Sequence, residues 1–543
     1  MISNEKGLSS VKIIFICIGS DIQSIGFRKM ASLARSIHPH VEVGYIVIAN
    51  PYAHINVFQK SGEVKFELLE NDLEKISAHL AKAYMVCFSS MTMYAKLTKE
   101  IITKIRSVNE KTFIVWGGIH PIVHPEDAIR SADAICVGEG ESAFKEFLLS
   151  FRNGNDYTGT RNFWFNIKGK VIKNNFLSLH NGEDMNNFPL PLYAEDELVY
   201  ERNKGFMPLD FSKYISYNSL TYNTIWSIGC PYKCIYCSNS KFIENDGNYR
   251  KVRYPSVDYV ISEIKSVLKK HAHLSTIVFH DDSFMAIPIN QLREFAKKWK
   301  NEIGLPFCVL GIIPSFVERD KIELLIWAGM YRVRMGIQSG SNRILKFYKR
   351  PNKPGLIERA AASINEFADY MVPPGYDIIV DCPIETREDV IDTLDMLYRL
   401  PRPYILNIFA LRVIPNTVLS NELSKLGVSH PGIESNDFTY ITPTLANVMV
   451  HLLAVLRPPK KMYEFLLKYI KVSTKEQLKY PLTLHTLRLV ILIKVLIFRM
   501  RFMDFPGLPG KMNFLVWKLG IVRFWQVKIL KRSSRILVKL DSR

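Results

Sequence analysis

The sequence contains no run of about 18 uncharged apolar residues, which is the length that a membrane-spanning helix needs. It also lacks the features of a signal peptide, because the apolar run in the N-terminal segment MISNEKGLSSVKIIFICIGS is short and no small-residue cleavage site follows a basic stretch. Cysteines are scarce, with eight in 543 residues, and they do not spread as in the disulfide framework of a secreted domain. The sequence therefore predicts a protein of a reducing, cytoplasmic compartment.

Acidic residues are rare at the C-terminal end. Residues 457–543 hold twenty Lys or Arg and four Asp or Glu, whereas residues 1–456 carry a net charge of only +3. On a helical wheel, Leu487–Met503 forms an apolar stripe opposite a basic half, and Trp517 and Trp525 follow it. This pattern predicts either a helical cap or peripheral contact with the inner face of an anionic membrane. No nucleic-acid-binding module accompanies the basic charge, so no nucleic acid is expected as a partner.

Residues 1–150 alternate strand-like and helix-like patterns. Buried strands that alternate with helices predict a Rossmann-like, doubly wound α/β domain with a parallel sheet. Ligands bind such sheets at the carboxyl ends of the strands, where glycines and small polar residues occur in this sequence. The predicted strands are Val11–Ile18, Val43–Ile48, Tyr84–Ser90, Thr112–Trp116 and Ala134–Val137.

Three further regions follow. Residues 151–215 carry no long periodicity and are predicted to be a linker or bridging segment. Residues 216–435 show six more βα units, which predict a partial (βα)6 barrel of TIM type. Residues 436–543 are predicted to form an α-helical, basic region that contacts a membrane surface or caps the substrate site. The predicted barrel strands are Thr224–Ile228, Thr276–His280, Phe307–Leu310, Arg332–Ile337, Tyr376–Val380 and Ile405–Ala410.

Three of the eight cysteines lie within eight residues, in the segment WSIGCPYKCIYCSNSKF. Cys230, Cys234 and Cys237 have the spacing C-x3-C-x2-C directly after the first predicted barrel strand. Thiolates bind iron–sulfur clusters strongly, and three ligands on a four-iron cluster leave one iron open to a small molecule. The alternatives are a zinc site whose fourth ligand lies elsewhere and three unrelated core cysteines.

The triplet, with Tyr236 before its last cysteine, resembles the signature of the radical S-adenosylmethionine (SAM) superfamily. In that family the open iron chelates SAM, and reductive cleavage yields a 5′-deoxyadenosyl radical. The segments FHDDSF, MGIQSGSNRIL, YDIIVDCPIETREDV and VIPNTVL resemble the family's later barrel motifs in order and spacing, with glutamine at position 338 in place of the usual acid. The resemblance assigns no catalytic acid or base. It implies SAM contacts at Tyr236, Asp281, Asp282, Gln338, Ser339 and Gly340.

The segment WGGIHPIVHPEDAIRSADAICVGEGESAFKEF resembles the cobalamin-binding domain that is fused to many radical SAM enzymes. Glycines at the sheet edge let the backbone approach a flat ligand closely, and backbone amides bind phosphate. The segment Asp21–Gly26 matches the place of the D-x-H-x-x-G motif of cobalamin mutases, but it has Gln23 where that motif has histidine. Cobalamin is therefore expected to bind without that histidine as a ligand. His120 is expected in a turn or against the corrin. The alternative is a plain Rossmann-like domain. The implied cobalamin contacts are Ser89, Ser90, Thr92, Gly117, Gly118, Gly138, Glu139 and Gly140.

Together these resemblances imply an oxygen-sensitive enzyme with a 4Fe-4S cluster, SAM and cobalamin that methylates an unactivated carbon. Oxidative cyclisation or ring rearrangement is the first alternative, because it needs the same cofactors. A non-catalytic cobalamin or iron–sulfur sensor is the second. The expected partners are a small-molecule or lipid-like substrate and an electron donor such as flavodoxin or ferredoxin. The remaining five cysteines are expected to be small core residues.

Overall fold

The computed structural model describes residues 11–48, 68–210, 220–430, 432–433, 441–442, 444–472 and 515–536, together with residues 489, 493 and 497. These residues form two sheets with flanking helices and a set of C-terminal helices. Most of Leu487–Met503, the predicted amphipathic helix, lies outside the described residues. Within it, Leu489, Ile493 and Ile497 are helical and exposed.

The first sheet has nine strands in the order β7-β6-β5-β4-β3-β1-β2-β8-β9. Its central strands are parallel, and antiparallel hairpins extend both edges. The strands are β1 Ile13–Gly19, β2 Val41–Val47, β3 Met85–Ser90, β4 Phe113–Gly117, β5 Ala134–Cys136, β6 Phe163–Ile167, β7 Lys170–Lys173, β8 Leu198–Glu201 and β9 Gly205–Pro208. The helices are α1 Ile25–Ile37, α2 Glu70–Leu80, α3 Ala95–Val108, α4 Ile119–Val123, α5 Pro125–Ala128, α6 Glu141–Arg152 and α7 Gly182–Met185.

Strand β1 is apolar on both of its faces. Phe15 and Cys17 pack into the core under α1 and α6, while Ile14 and Ile16 pack into a separate core under α2 and α3. Successive side chains of a strand point to opposite faces, so an unbroken apolar run fits only a sheet with helices on both sides. The predicted doubly wound α/β fold is confirmed.

Residues 151–210 of the predicted linker 151–215 contain regular secondary structure that the sequence does not predict. They supply β6–β9, and these strands are only four or five residues long, which is too short for a visible periodicity. The stretch 174–197 does bridge the two sheets. The carbonyl of Leu192 accepts a hydrogen bond from Arg28 of α1, and the carbonyl of Pro189 accepts one from Tyr259 of the barrel.

The second sheet has six parallel strands in sequential order, β10 to β15, and is the predicted half-barrel. Its first strand shares only Thr224 with the predicted range Thr224–Ile228, and residues 225–238 form a loop with one isolated bridge and no strand. The strands are β10 Thr221–Thr224, β11 Thr276–Phe279, β12 Phe307–Ile312, β13 Met330–Gln338, β14 Gly375–Val380 and β15 Ile405–Ala410. The helices are α8 Asn239–Asn245, α9 Val257–Lys270, α10 Ile289–Lys298, α11 Arg319–Ala328, α12 Asn342–Phe347, α13 Leu356–Asn365, α14 Arg387–Arg399 and α15 Val418–Lys425.

The C-terminal helices are α16 Leu445–Val455, α17 Lys460–Val472 and α18 Ile521–Ser533. In α18, Trp525 packs edge-on against Tyr331 with ring centroids 5.1 Å apart, and Gln526 donates a hydrogen bond to the carbonyl of Ser275. Tyr331 and Ser275 lie at the amino ends of β13 and β11, so α18 covers that end of the barrel. Trp525 is therefore buried, although the sequence suits it to a membrane interface. Within the described residues, no helix has the length and apolarity to cross a membrane.

Candidate active site

A cavity of about 1260 Å³ lies between the two sheets. The carboxyl ends of β1, β3, β4 and β5 line one side, and β10, β15 and α16 line the other. Strands β10 and β15 are the two edges of the half-barrel. The cavity therefore occupies the lateral opening of the half-barrel, and the first sheet closes that opening.

Cys230, Cys234 and Cys237 lie in the loop that follows β10. Burial raises the pKa of the Cys230 and Cys237 thiols to about 12, so a metal's positive charge is needed to hold them as thiolates. Among the described residues, three ligand atoms come within 4.8 Å of one another only at His120, His124 and Asp127. The three sulfurs are thus too far apart for one zinc ion at about 2.3 Å from each, and the all-sulfur donor set fits a multi-iron cluster.

Asp281 holds the start of this loop. Its carboxylate accepts hydrogen bonds from the amide of Trp226 at 3.2 Å and from the amide and hydroxyl of Ser227, both at 2.5 Å. Burial raises the pKa of Asp281 to about 7, against the effect of these three donors. Asp281 is thus engaged with the loop, although the sequence predicts a SAM contact. Its neighbour Asp282 lies beside the triplet, 3.5 Å from the Tyr249 hydroxyl, and burial raises its pKa.

The end of β13 divides the predicted SAM contacts into two groups. Ser339 and Gly340 face α14, where both bond the hydroxyl of Thr393 at 3.2 and 2.9 Å. These bonds hold the turn against that helix. Gln338 has a φ of +76° at a shift in the β13–β14 register. Such a conformation is strained for a non-glycine residue and is typical of functional sites. Its side-chain amide folds back over Gly336.

Arg350 is a buried cation beside the triplet that the sequence analysis missed. Its Nη1 donates to the sulfur of Cys234 at 3.8 Å and to the hydroxyl of Tyr236 at 3.4 Å, and its Nη2 donates to the carbonyl of Gly336. Arg350 thereby ties the cysteine loop to β13. It follows the fourth-strand motif without belonging to it, so no pattern in the sequence marks it.

Seven of the eight residues with a predicted cobalamin contact line the cavity, and Thr92 is buried away from it. The edge of the first sheet fits a large flat ligand. A Cβ atom at Gly117 or Gly140 would meet no atom closer than 3.6 Å, and one at Gly26 would meet none within 4 Å. Side chains at these positions would therefore fill the cradle. Gly118 differs, because its φ is +95° and a Cβ there would lie 2.7 Å from the Ser90 carbonyl.

Gln23 lines the cavity with both polar atoms of its amide hydrogen-bonded, whereas His120 does not line it. The Gln23 amide donates to the carbonyl of Thr221 at 2.9 Å and accepts from the amide of Asn223 at 2.5 Å, so it ties the first sheet to β10. The His120 imidazole is fully buried, with its Nε2 3.1 Å from Asp127 and its ring against Trp116. Burial lowers the pKa of His120 to about 4. Its imidazole thus lies in the core.

Comparison with known proteins agrees with this geometry. Residues 11–148 match the family model of the B12 binding domain, and residues 224–397 match that of the radical SAM superfamily. The chain therefore carries a B12-binding domain followed by a radical SAM domain. Its cofactors are a 4Fe-4S cluster, SAM and cobalamin, as predicted.

Two curated relatives are an uncharacterized methyltransferase of Pyrococcus horikoshii and the anaerobic magnesium-protoporphyrin IX monomethyl ester cyclase of Rubrivivax gelatinosus. The first is 27% identical over 323 residues, which is 58% of this chain and 64% of the relative, so the match spans less than two thirds of that protein. The second is 22% identical over 434 residues, which is 75% of this chain and 72% of the relative.

Two solved structures share the fold. The cobalamin-dependent SAM radical enzyme OxsB with aqua-cobalamin bound has a TM-score of 0.60 at 14% identity. The match covers 98% of this chain and 85% of the OxsB chain. The radical SAM methyltransferase TsrM from Kitasatospora setae, with cobalamin and a [4Fe-4S] cluster bound, has a TM-score of 0.55 at 16% identity. The match covers 77% of this chain and 75% of the TsrM chain.

Proposed function

We propose that this enzyme is a cobalamin-dependent methyltransferase that acts on an unactivated carbon of a small molecule. The observation that carries the proposal is the cavity that joins the glycine edge of the B12-binding domain to the interior of the half-barrel. A substrate in this cavity would lie between the two cofactor domains, against the glycine edge on one side and Ile228 of the cysteine loop on the other. Transfer between two cofactors requires a substrate that is held between them.

In this proposal Cys230, Cys234 and Cys237 hold the cluster, Gln338 and Asp282 contact SAM, and the glycine edge of the first sheet holds cobalamin. When bound, the cluster supplies the electron that cleaves SAM, and cobalamin carries the methyl group that is transferred. The chain's own side chains position the groups. Asp281 fixes the cysteine loop, and Gln23 keeps the first sheet against β10. The electron comes from a flavodoxin or ferredoxin.

Oxidative cyclisation is the second candidate function. The curated cyclase aligns with 75% of this chain, across both cofactor domains. The two reactions differ in product mass, because methylation adds one CH2 unit and cyclisation removes hydrogen.

The test compares the native host carrying the wild-type gene with the same host carrying the Cys230→Ala, Cys234→Ala, Cys237→Ala triple variant. Both are grown without oxygen on methionine with a deuterated methyl group, and their small molecules are compared by mass spectrometry. We expect a compound that is specific to the wild type and contains the label. A specific compound without label and with fewer hydrogens would establish cyclisation instead. No difference between the strains would contradict both reactions.

We further propose that the C-terminal region touches an anionic membrane surface. Support comes from α18 and the residues before it, where Leu519, Phe524 and Val527 are 65%, 64% and 44% exposed beside basic side chains. Such a surface suits the interface of an anionic bilayer. The protein should float with anionic liposomes, and the Phe524→Glu variant should float less. Failure of the wild type to float would contradict membrane contact.

A further inference from the structure

Arg334 is the only Lys or Arg that lines the cavity in the described part of the chain. It lies on β13, and 31% of its side chain is exposed. Its Nε donates to Oδ1 of Asp377 at 2.6 Å, and the Asn407 amide donates to the same oxygen at 2.9 Å. Asp377 and Asn407 are paired across β14 and β15. Three adjacent strands of the half-barrel thus fix one guanidinium at the cavity wall.

The fixed guanidinium is oriented to bind a further group. Asp377 engages Nε only, and the terminal nitrogens of Arg334 have no hydrogen-bond acceptor among the described residues. The guanidinium carbon also lies 5.1 Å from the ring centroid of Phe409. A rigid fork of N–H donors in a cavity matches the two oxygens of a carboxylate or phosphate.

The surroundings favour an anion with an apolar body. His280 lines the same part of the cavity, and burial, with a smaller effect of Arg334, lowers its pKa to about 4. It is therefore a neutral hydrogen-bonding group at neutral pH and adds no competing charge. Ile405 and Phe409 of β15 also line the cavity, on the same face of the strand as Asn407.

We propose that Arg334 is the substrate-binding residue for an anionic group, so that the substrate is an amphiphilic small molecule with a carboxylate or phosphate. This inference rests on the proposed function, because it assigns the substrate class of the same cavity. SAM also carries a carboxylate, and this carboxylate is the alternative ligand for Arg334. Arg334 precedes Gln338 by four residues, which is roughly 13 Å along a strand, so the arginine lies deeper than the predicted SAM contact. We assign the two positions to different groups.

The experiment uses the full chain, purified without oxygen and loaded with its cofactors. Isothermal titration calorimetry measures binding of phenyl phosphate and benzoate, with benzamide as the uncharged comparison. We expect Arg334→Met to weaken binding of the anionic probes about tenfold or more, since hydrogen bonds to a charged group are lost. Arg334→Lys should recover part of the affinity. Arg332→Met is the matched control, because Arg332 lies on the same strand outside the cavity lining and its loss should leave binding unchanged.

Three results would overturn the inference. They are no saturable binding of either anion by the wild type, equal binding by the wild type and Arg334→Met, and equal affinity for benzoate and benzamide. A fourth result would also overturn it. This is a loss of SAM affinity in Arg334→Met together with competition between SAM and the probes, since Arg334 would then bind SAM. Anion binding that persists in a chain without methyl transfer would contradict the proposed function alone. Methyl transfer to an uncharged substrate would contradict the anion site alone.

Discussion

Arg253 of the barrel forms a two-pronged ion pair with Glu139 of the B12-binding domain, with nitrogen–oxygen distances of 2.6 and 3.3 Å. The backbone of Arg253 is bridged to Ile228, just before the cysteine triplet, and Glu139 lies between the two cavity glycines Gly138 and Gly140. The pair therefore links the cysteine loop directly to the predicted cobalamin cradle. It also gives Glu139 a structural partner that the sequence analysis did not foresee.

Glu139→Gln should destabilise the protein in a pH-dependent way. Burial alone would raise the pKa of Glu139, but hydrogen bonds from His180 and Arg253 lower it to about 2. A carboxyl group whose pKa is lowered by folding stabilises the fold at pH values above its ordinary pKa. This contribution is lost as the pH falls toward 2. We expect the variant to lose about 3 kcal/mol of unfolding free energy near pH 7, because Arg253 keeps a buried charge without its partner.

Urea denaturation of the wild type and the variant from pH 7 to below pH 3 checks this expectation. The difference between the two curves should shrink as pH falls below the ordinary carboxyl pKa. A difference that stays constant over the whole range would mean that the ion pair is not its source. Glu126→Gln is a suitable control, since Glu126 forms an ion pair that is half exposed.

Asp281→Ala should loosen the cysteine loop. The substitution removes the acceptor for the Trp226 and Ser227 amides, and buried donors without a partner cost about 1–3 kcal/mol each. We expect lower iron content after reconstitution and a cluster that oxygen destroys faster. Asp281→Asn keeps an acceptor oxygen and should retain more iron. Equal iron content in Asp281→Ala and the wild type would contradict a positioning role.

Arg350→Met should change the properties of the cluster. The guanidinium donates to the sulfur of Cys234, and hydrogen bonds to cluster sulfurs raise the reduction potential. We expect a more negative midpoint potential in a redox titration and a rate of SAM cleavage that falls about tenfold, the usual scale for loss of an outer-shell partner. A variant with an unchanged potential would show that Arg350 serves only to pack the loop.

The cavity glycines should separate into two classes on substitution. Gly118→Ala forces a left-handed residue against the Ser90 backbone and should cost about 2 kcal/mol or more of stability. Gly26→Leu meets no neighbour at its Cβ, so it should fold normally and bind hydroxocobalamin more weakly. Thermal unfolding of the apo chain and a cobalamin titration measure the two effects. Normal cobalamin affinity in Gly26→Leu would contradict the proposed cradle.

The fold class and the cofactors were predictable because their signals are local. Apolar runs such as that of β1 report burial on both faces, and the spacing of the cysteine triplet needs no knowledge of the rest of the chain. The short strands β6–β9 carry too few residues for such a signal. They are placed by pairing with edges of a sheet whose other strands lie elsewhere in the sequence.

The candidate site was predictable only in part, because side-chain direction depends on distant partners. Ser339 and Gly340 belong to a motif, yet the motif does not reveal that both bond Thr393 on another element. Asp281 is similarly engaged by Ser227, which lies 54 residues earlier. Arg350 reaches Cys234 across 116 residues. The assignment of the three cysteines as cluster ligands stays a prediction.

The most direct test of the central claim is an absorption spectrum. The chain is purified without oxygen and reconstituted with iron, sulfide and hydroxocobalamin, in parallel with the Cys230→Ala, Cys234→Ala, Cys237→Ala triple variant. We expect the wild type to show corrin bands together with a cluster charge-transfer band near about 400 nm, and the variant to keep the corrin bands and lose the cluster band. A wild type that binds no corrin, or a variant that keeps the cluster band, would contradict two cofactors held on separate domains.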